Sequence, residues 1–173
     1  AEFVEYAAGD WRCTNYSPAS GRSIVASSSL DKSHWPVVAN DSDIAHDINF
    51  SVGSIADSTG VLNMILILSL TKQLDVVWAE GTGLGGRASG VALSANTTYH
   101  LFLIAKVDGK VDAGFDTSLT ATALLAGAAG YTLFRRIHSL KTNGASNFRV
   151  FMQTGDLIRY NPSIFELTAS DVG

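Results

Sequence analysis

Two apolar runs, residues 98–107 and 111–115, are joined through Asp108-Gly109. A two-residue type I′ turn needs positive φ at both central positions, which Asp and Gly accept more readily than branched residues, so the pair predicts an antiparallel hairpin. The first run places Tyr99, Leu101, Leu103, Ala105 and Val107 on one side and His100 and Lys106 on the other, but Phe102 and Ile104 make it apolar on both. Such a strand belongs in a core rather than at a surface.

The rest of the chain continues the same pattern. Residues 44–52 carry Ile44, Ile48, Phe50 and Val52 at even positions, and Ser58-Thr59-Gly60 turns into residues 61–70, an almost unbroken apolar run that predicts a central, doubly buried strand. A short apolar segment covers residues 74–78. Strand character resumes over 131–140, Asn143-Gly144 predicts a second hairpin turn, and Phe148, Val150 and Met152 alternate with Asn147, Arg149 and Gln153. Gly155-Asp156 turns the chain into residues 157–160, and Pro162 ends that strand. One short helix is expected at 118–129, with Asp116, Thr117 or Ser118 as N-cap and Gly130 as stop. The first 45 residues, rich in Ser, Asp and Asn, show no long periodicity. The expected fold is therefore all-β: an irregular N-terminal arm over 1–45, then an antiparallel β-sandwich of jelly-roll kind over 46–173.

Charge excludes some partners. Only 16% of the 173 residues are charged, the net charge is -4, and Arg135-Arg136 is the sole adjacent basic pair, so no stripe exists to neutralise a phosphate backbone and no nucleic acid is expected as partner. Residues 61–70 fall far short of the ~20 apolar residues that span a bilayer, so no membrane insertion is expected. Cys13 is alone and reads as an idle thiol, with no disulfide and no second thiol for zinc. The chain begins at Ala1 without a Met or a signal-like stretch, which reads as a processed start.

No catalytic constellation survives a search for mechanism. Gly81-x-Gly83-x-x-Gly86 has dinucleotide-binding spacing, with Asp108 about twenty residues on, but the chemistry needs a helix N-terminus directly after the glycines. Here Arg87-Ala88-Ser89-Gly90 leads into residues 91–93 and another turn, so no cofactor is expected. His34, His46, His100 and His138 are dispersed without ligand spacing, and Asp41, Asp43, Asp47 and His46 lack the glycine and terminal glutamate of a calcium loop, so no metal is expected either. No Gly-x-Ser-x-Gly elbow occurs, and no enzyme is expected. Sequons at Asn15, Asn40, Asn49 and Asn96 matter only on a eukaryotic secretory route. Of the aromatics that could stack on a sugar (Trp11, Trp35, Trp78, Tyr99, Tyr131), Trp35 is the ligand-binding candidate.

Five segments carry a longer signature: Trp78-Ala79-Glu80-Gly81-Thr82-Gly83; Leu93-Ser94-Ala95-Asn96-Thr97-Thr98-Tyr99-His100-Leu101-Phe102; Asp108-Gly109-Lys110-Val111-Asp112-Ala113-Gly114-Phe115-Asp116-Thr117-Ser118; Gly130-Tyr131-Thr132-Leu133-Phe134-Arg135-Arg136-Ile137; and Gln153-Thr154-Gly155-Asp156. In this order, over residues 74–160, they resemble a module of tailed-bacteriophage and prophage virion proteins of the tail-fibre or appendage type. His138 departs from the pattern, which has glycine there, and the module generally continues with more β-structure. The resemblance implies a non-enzymatic structural or adhesive virion component (a fibre, spike or decoration domain) with no catalytic residues to carry over. Its implied partners are itself, as a homotrimer, other virion proteins, and a host-surface glycan at attachment. The alternatives are a glycan-binding module of a tail appendage and a depolymerase using a carboxylate pair.

Overall fold

The computed structural model describes residues 35–160 throughout and the backbone of two earlier strands, Glu2–Ala7 (β1) and Asp10–Asn15 (β2). Contacts divide the chain into two compact units, Ala1–Asp31 and Lys32–Gly173. In the first, β1 and β2 pair antiparallel, Val4 opposite Arg12 and Ala7 opposite Asp10. Within the arm expected over 1–45 the structure thus shows one short antiparallel pair, whose two runs are too short to show in a long window. His34 and the tail from residue 161, Pro162 included, lie outside the described residues.

The second unit contains β3 (Val38–Asn40), β4 (Asp47–Phe50), β5 (Gly53–Ala56), β6 (Asn63–Leu66), β7 (Leu70–Val77), β8 (Leu84–Arg87), β9 (Thr98–Ala105) and β10 (Val111–Asp116). After α1 (Thr122–Gly127) come β11 (Leu133–Lys141), β12 (Phe151–Thr154) and β13 (Leu157–Tyr160). The fold is all-β, with one short helix among the described residues. Seven strands form a curled sheet in the order β11-β9-β10-β8-β7-β4-β3, while β5-β6 and β12-β13 are separate two-stranded sheets. The large sheet is mixed, since β8 runs parallel to both β7 and β10. An antiparallel sandwich of jelly-roll kind needs a second large sheet, and the described residues supply only hairpins in its place.

The Asp108-Gly109 hairpin joins β9 and β10, with Val111 opposite Ala105. Its turn differs from the type I′ expected. Gly109 N–H donates to Lys106 O at 3.0 Å, Lys106 N–H donates to Lys110 O at 2.9 Å, and within the turn only Gly109 has positive φ, 93°. A type I turn closed by a glycine bulge spares Asp108 the left-handed region, and the Asp108 carboxylate then accepts Lys110 N–H. Asn143-Gly144 likewise opens a wider turn, in which the Asn143 side-chain oxygen accepts the N–H groups of Ala145 and Asn147.

β9 is buried on both faces, as its composition predicts. Leu101 and Leu103 enter one apolar cluster with Ile48, Phe50, Leu74 and Phe115, which Ile55, Met64 and Leu66 of the β5-β6 hairpin join. Phe102 and Ile104 enter a second with Leu124 of α1 and Tyr131. α1 is shorter than the 118–129 expected because the turn before it is held by side chains. The buried Asp116 carboxylate accepts Ser118 N–H at 2.9 Å and Leu124 N–H at 2.8 Å, so Asp116 caps the helix from the end of β10.

The run at 61–70 is the clearest departure. It is no central strand: β6 occupies only its middle, Met64 and Leu66 point into the core, and Ile65 faces outward. Ile67 and Leu68, in the bend before β7, are 82% and 75% exposed, and Val61, in the bend before β6, is 66% exposed. A run interrupted only by Asn63 and Ser69 hides which of its sides is buried, because two polar residues are too few to show a clear period-two alternation.

Candidate functional site

The glycine-rich segment serves the fold. The chain leaves β7 at Val77 and begins β8 at Leu84, opposite Lys72, so a handful of residues return it almost the length of a strand. Parallel neighbours ordinarily need a crossover of about a dozen residues or more. The tight return depends on a buried cation. Lys72 Nζ, 0% exposed, donates to Ala79 O at 2.7 Å and Gly81 O at 2.8 Å and pairs with Asp112 Oδ1 at 2.8 Å. Asp112 in turn accepts Gly81 N–H and Ala113 N–H. The Trp78 ring lies 5.3 Å from Lys72 Nζ, and its indole N–H donates to Ala113 O. Burial pulls the Lys72 ammonium below its usual range, and the Asp112 carboxylate opposes that shift. Gly81, Gly83 and Gly86 thus belong to this return and to β8, a strand, so the helix that would hold a pyrophosphate is absent from their C-terminal side.

The outer rim of this network is Glu80, which accepts from Lys110 and, at 2.9 Å, from Lys106. Hydrogen bonds from Lys110 first and Lys106 second lower the Glu80 carboxyl from 4.5 to about 2. A carboxyl depressed on folding contributes stability that is complete above about 4.5 and is lost as the pH falls toward about 2. Carboxyl NMR titration of the folded chain is expected to place the Glu80 midpoint near 2, and Lys110→Ala to move it back toward the ordinary carboxylate range.

Among the described residues the other chemistry-bearing side chains form separate, small groups. Ser139, His100 and Asp116 stand in one row across β11, β9 and β10, with Ser139 Oγ 2.7 Å from His100 Nδ1. Sequence reading misses this row because its members lie far apart in the chain. It is not joined as a triad: His100 Nδ1 bonds Ser139, while Asp116 accepts from Ser118 N–H in the turn and Leu124 N–H in the helix rather than from His100. His46 bonds Asp43 at 2.9 Å, and Asp41 accepts from Ser42 N–H and the Thr71 hydroxyl, so this acidic cluster organises its own turn. Among the described residues no group of three His, Cys, Asp or Glu is arranged to hold a metal ion, and no helix is long and apolar enough to cross a membrane.

The concave surface with a candidate residue in it is the groove beside Trp35. It holds about 470 Å³ and is lined by Trp35, Val37, Ser51, Val52, Ile65 and Leu66 among others. Trp35 is half-buried against the main apolar cluster. Two serine hydroxyls line it, and one is engaged: Ser51 Oγ accepts Val37 N–H at 2.8 Å and donates to Val52 O at 3.0 Å, which leaves Ser54 as the other hydroxyl of a mainly apolar lining. Ile67 and Leu68 follow directly on the groove wall formed by Ile65 and Leu66, extending it into an exposed apolar ridge. The signal for this ridge in the sequence is a pair of aliphatic residues at a bend, where polar turn-formers are usual. Comparison with family models, curated proteins and solved structures yields no match for this chain.

Proposed function

We propose that the chain is a non-enzymatic structural or adhesive component of a tailed-phage virion, a fibre, spike or decoration domain that works by assembling with copies of itself and with other virion proteins. The observation that carries this reading is the uncharged apolar surface of β6 and its flanking bends. Exposed aliphatic residues at Val61, Ile65, Ile67 and Leu68 suit burial against a neighbour far better than contact with water. The resemblance over residues 74–160 supplies the virion setting, and the commitment of the glycine segment, Asp116 and Lys72 to structural bonds accords with a scaffold.

Trp35 in a groove supports a second reading, the glycan-binding module of a tail appendage, although sugar recognition draws on more free polar groups than this lining offers. The virion reading is tested by mass spectrometry of purified particles from the phage or prophage that carries the gene. The chain is expected at a fixed copy number that is a multiple of three, and its absence from intact particles would overturn the proposal.

A further inference from the structure

We infer that the apolar ridge Ile67-Leu68 of one copy seats in the groove beside Trp35 of another copy of this chain. The inference rests on the assembly reading above and names its contact surface. Three observations point to a second copy as the occupant.

The first is charge. From Ile48 to Leu70 the only ionisable residue is Asp57, which is fully buried and accepts hydrogen bonds from Thr59 and Leu62. Copies with a net charge of -4 repel one another over most of their surface, and this face is where they meet without like-charge opposition. Arg135 reaches this segment from β11, but its guanidinium is engaged by Ala56 O and Asp57 O at 2.7 Å each, at the turn end of the β5-β6 hairpin and away from Ile67-Leu68.

The second is area. Val52 and Ile65 in the groove wall, with Ile67 and Leu68 directly beside it, are each more than half exposed and together offer roughly 250 Å² of aliphatic surface, at about 100 Å² for a fully exposed side chain. A standard interface buries about 800 Å² per partner, of which about 450 Å² is apolar. The patch therefore accounts for about half of the apolar part of one interface.

The third is shape. A protruding pair and a concave wall occur on one chain, so each copy carries both halves of the contact, as self-assembly requires. A sugar would meet a mainly aliphatic lining in which the Ser51 hydroxyl is already engaged and Ser54 offers the other side-chain hydroxyl.

The test uses the full chain and two double variants at exposed sites. Ile67→Asp with Leu68→Asp removes the ridge, and Val37→Asp with Val52→Asp blocks the groove. Folding is verified for each by circular dichroism, and Val107→Asp, at an exposed apolar site in the β9-β10 turn, is the control. In light scattering, the wild type and the control are expected to be oligomers, and both double variants single chains. An equimolar mixture of the two variants, in which the intact ridge of one meets the intact groove of the other, is expected to regain a two-chain species. A ridge variant that keeps the wild-type mass overturns this interface while leaving assembly standing, as does a mixture that stays single-chain. A wild type that is itself a single chain overturns both, and a shift of its tryptophan emission on adding host polysaccharide would then give the groove to sugar.

Discussion

Lys72→Ala is expected to lower stability by about 3–5 kcal/mol, the usual cost of leaving one partner of a buried ion pair unpaired. For a chain of this size that is a fall of roughly 10 °C or more in Tm. The side chains of Lys72 and Asp112 are 0% and 2% exposed, so water cannot replace the lost partner. Two further acceptors are orphaned, Ala79 O and Gly81 O, whose bonds to the ammonium hold the short return between β7 and β8. Buried ion pairs are often replaceable by apolar residues of similar volume, but Lys72→Met with Asp112→Leu is not expected to restore the wild type. It would remove the partners of those two part-buried carbonyls, of Gly81 N–H, also part-buried, and of the buried Ala113 N–H, at about 1–3 kcal/mol for a fully buried group and less for those that water reaches. Thermal denaturation followed by circular dichroism checks both variants. A Tm within a degree or two of wild type for Lys72→Ala would mean that the network does not hold the return.

Gly85→Ala is the second large effect. A Cβ at this position would lie 2.0 Å from the Val77 carbonyl oxygen, a backbone atom in the strand that β8 pairs with, so no side-chain rotation relieves it. Overpacking that forces backbone to move costs about 1–3 kcal/mol and more when neighbours cannot yield, and the upper end is expected here. Gly83 offers the contrast. Its φ is 71° and the space around it is open, so Gly83→Ala meets only the left-handed penalty of roughly 1–2 kcal/mol. Denaturant unfolding of the two variants should rank Gly85→Ala well below Gly83→Ala, and the reverse order would contradict the close approach of β7 and β8.

How much of this was legible in the sequence depends on where the information sat. The β9-β10 hairpin was legible because its turn and both flanking strands are contiguous, and β9 advertised burial on both faces through Phe102 and Ile104. The helix was placed correctly but overextended, since Ser118, Thr120 and Thr122 bond one another rather than opening the helix earlier. Residues 61–70 were misread because eight of the ten are apolar, and the outward side that Asn63 shares with Ile65 is decided by the pairing of β5 with β6. The Lys72-Asp112 pair had no local signal at all: forty positions separate the two, and the parallel insertion of β8 brings them together. Trp35 was identifiable as an aromatic candidate, whereas its groove is assembled from residues 35–37, 51–54 and 65–66, which no linear pattern connects.

The proposed function has copies of this chain assemble through the apolar face around Ile67 and Leu68. Sedimentation equilibrium of the full chain at micromolar concentration tests it most directly. A single species of three times the chain mass is the predicted result, and a single-chain species across the whole concentration range would contradict the account.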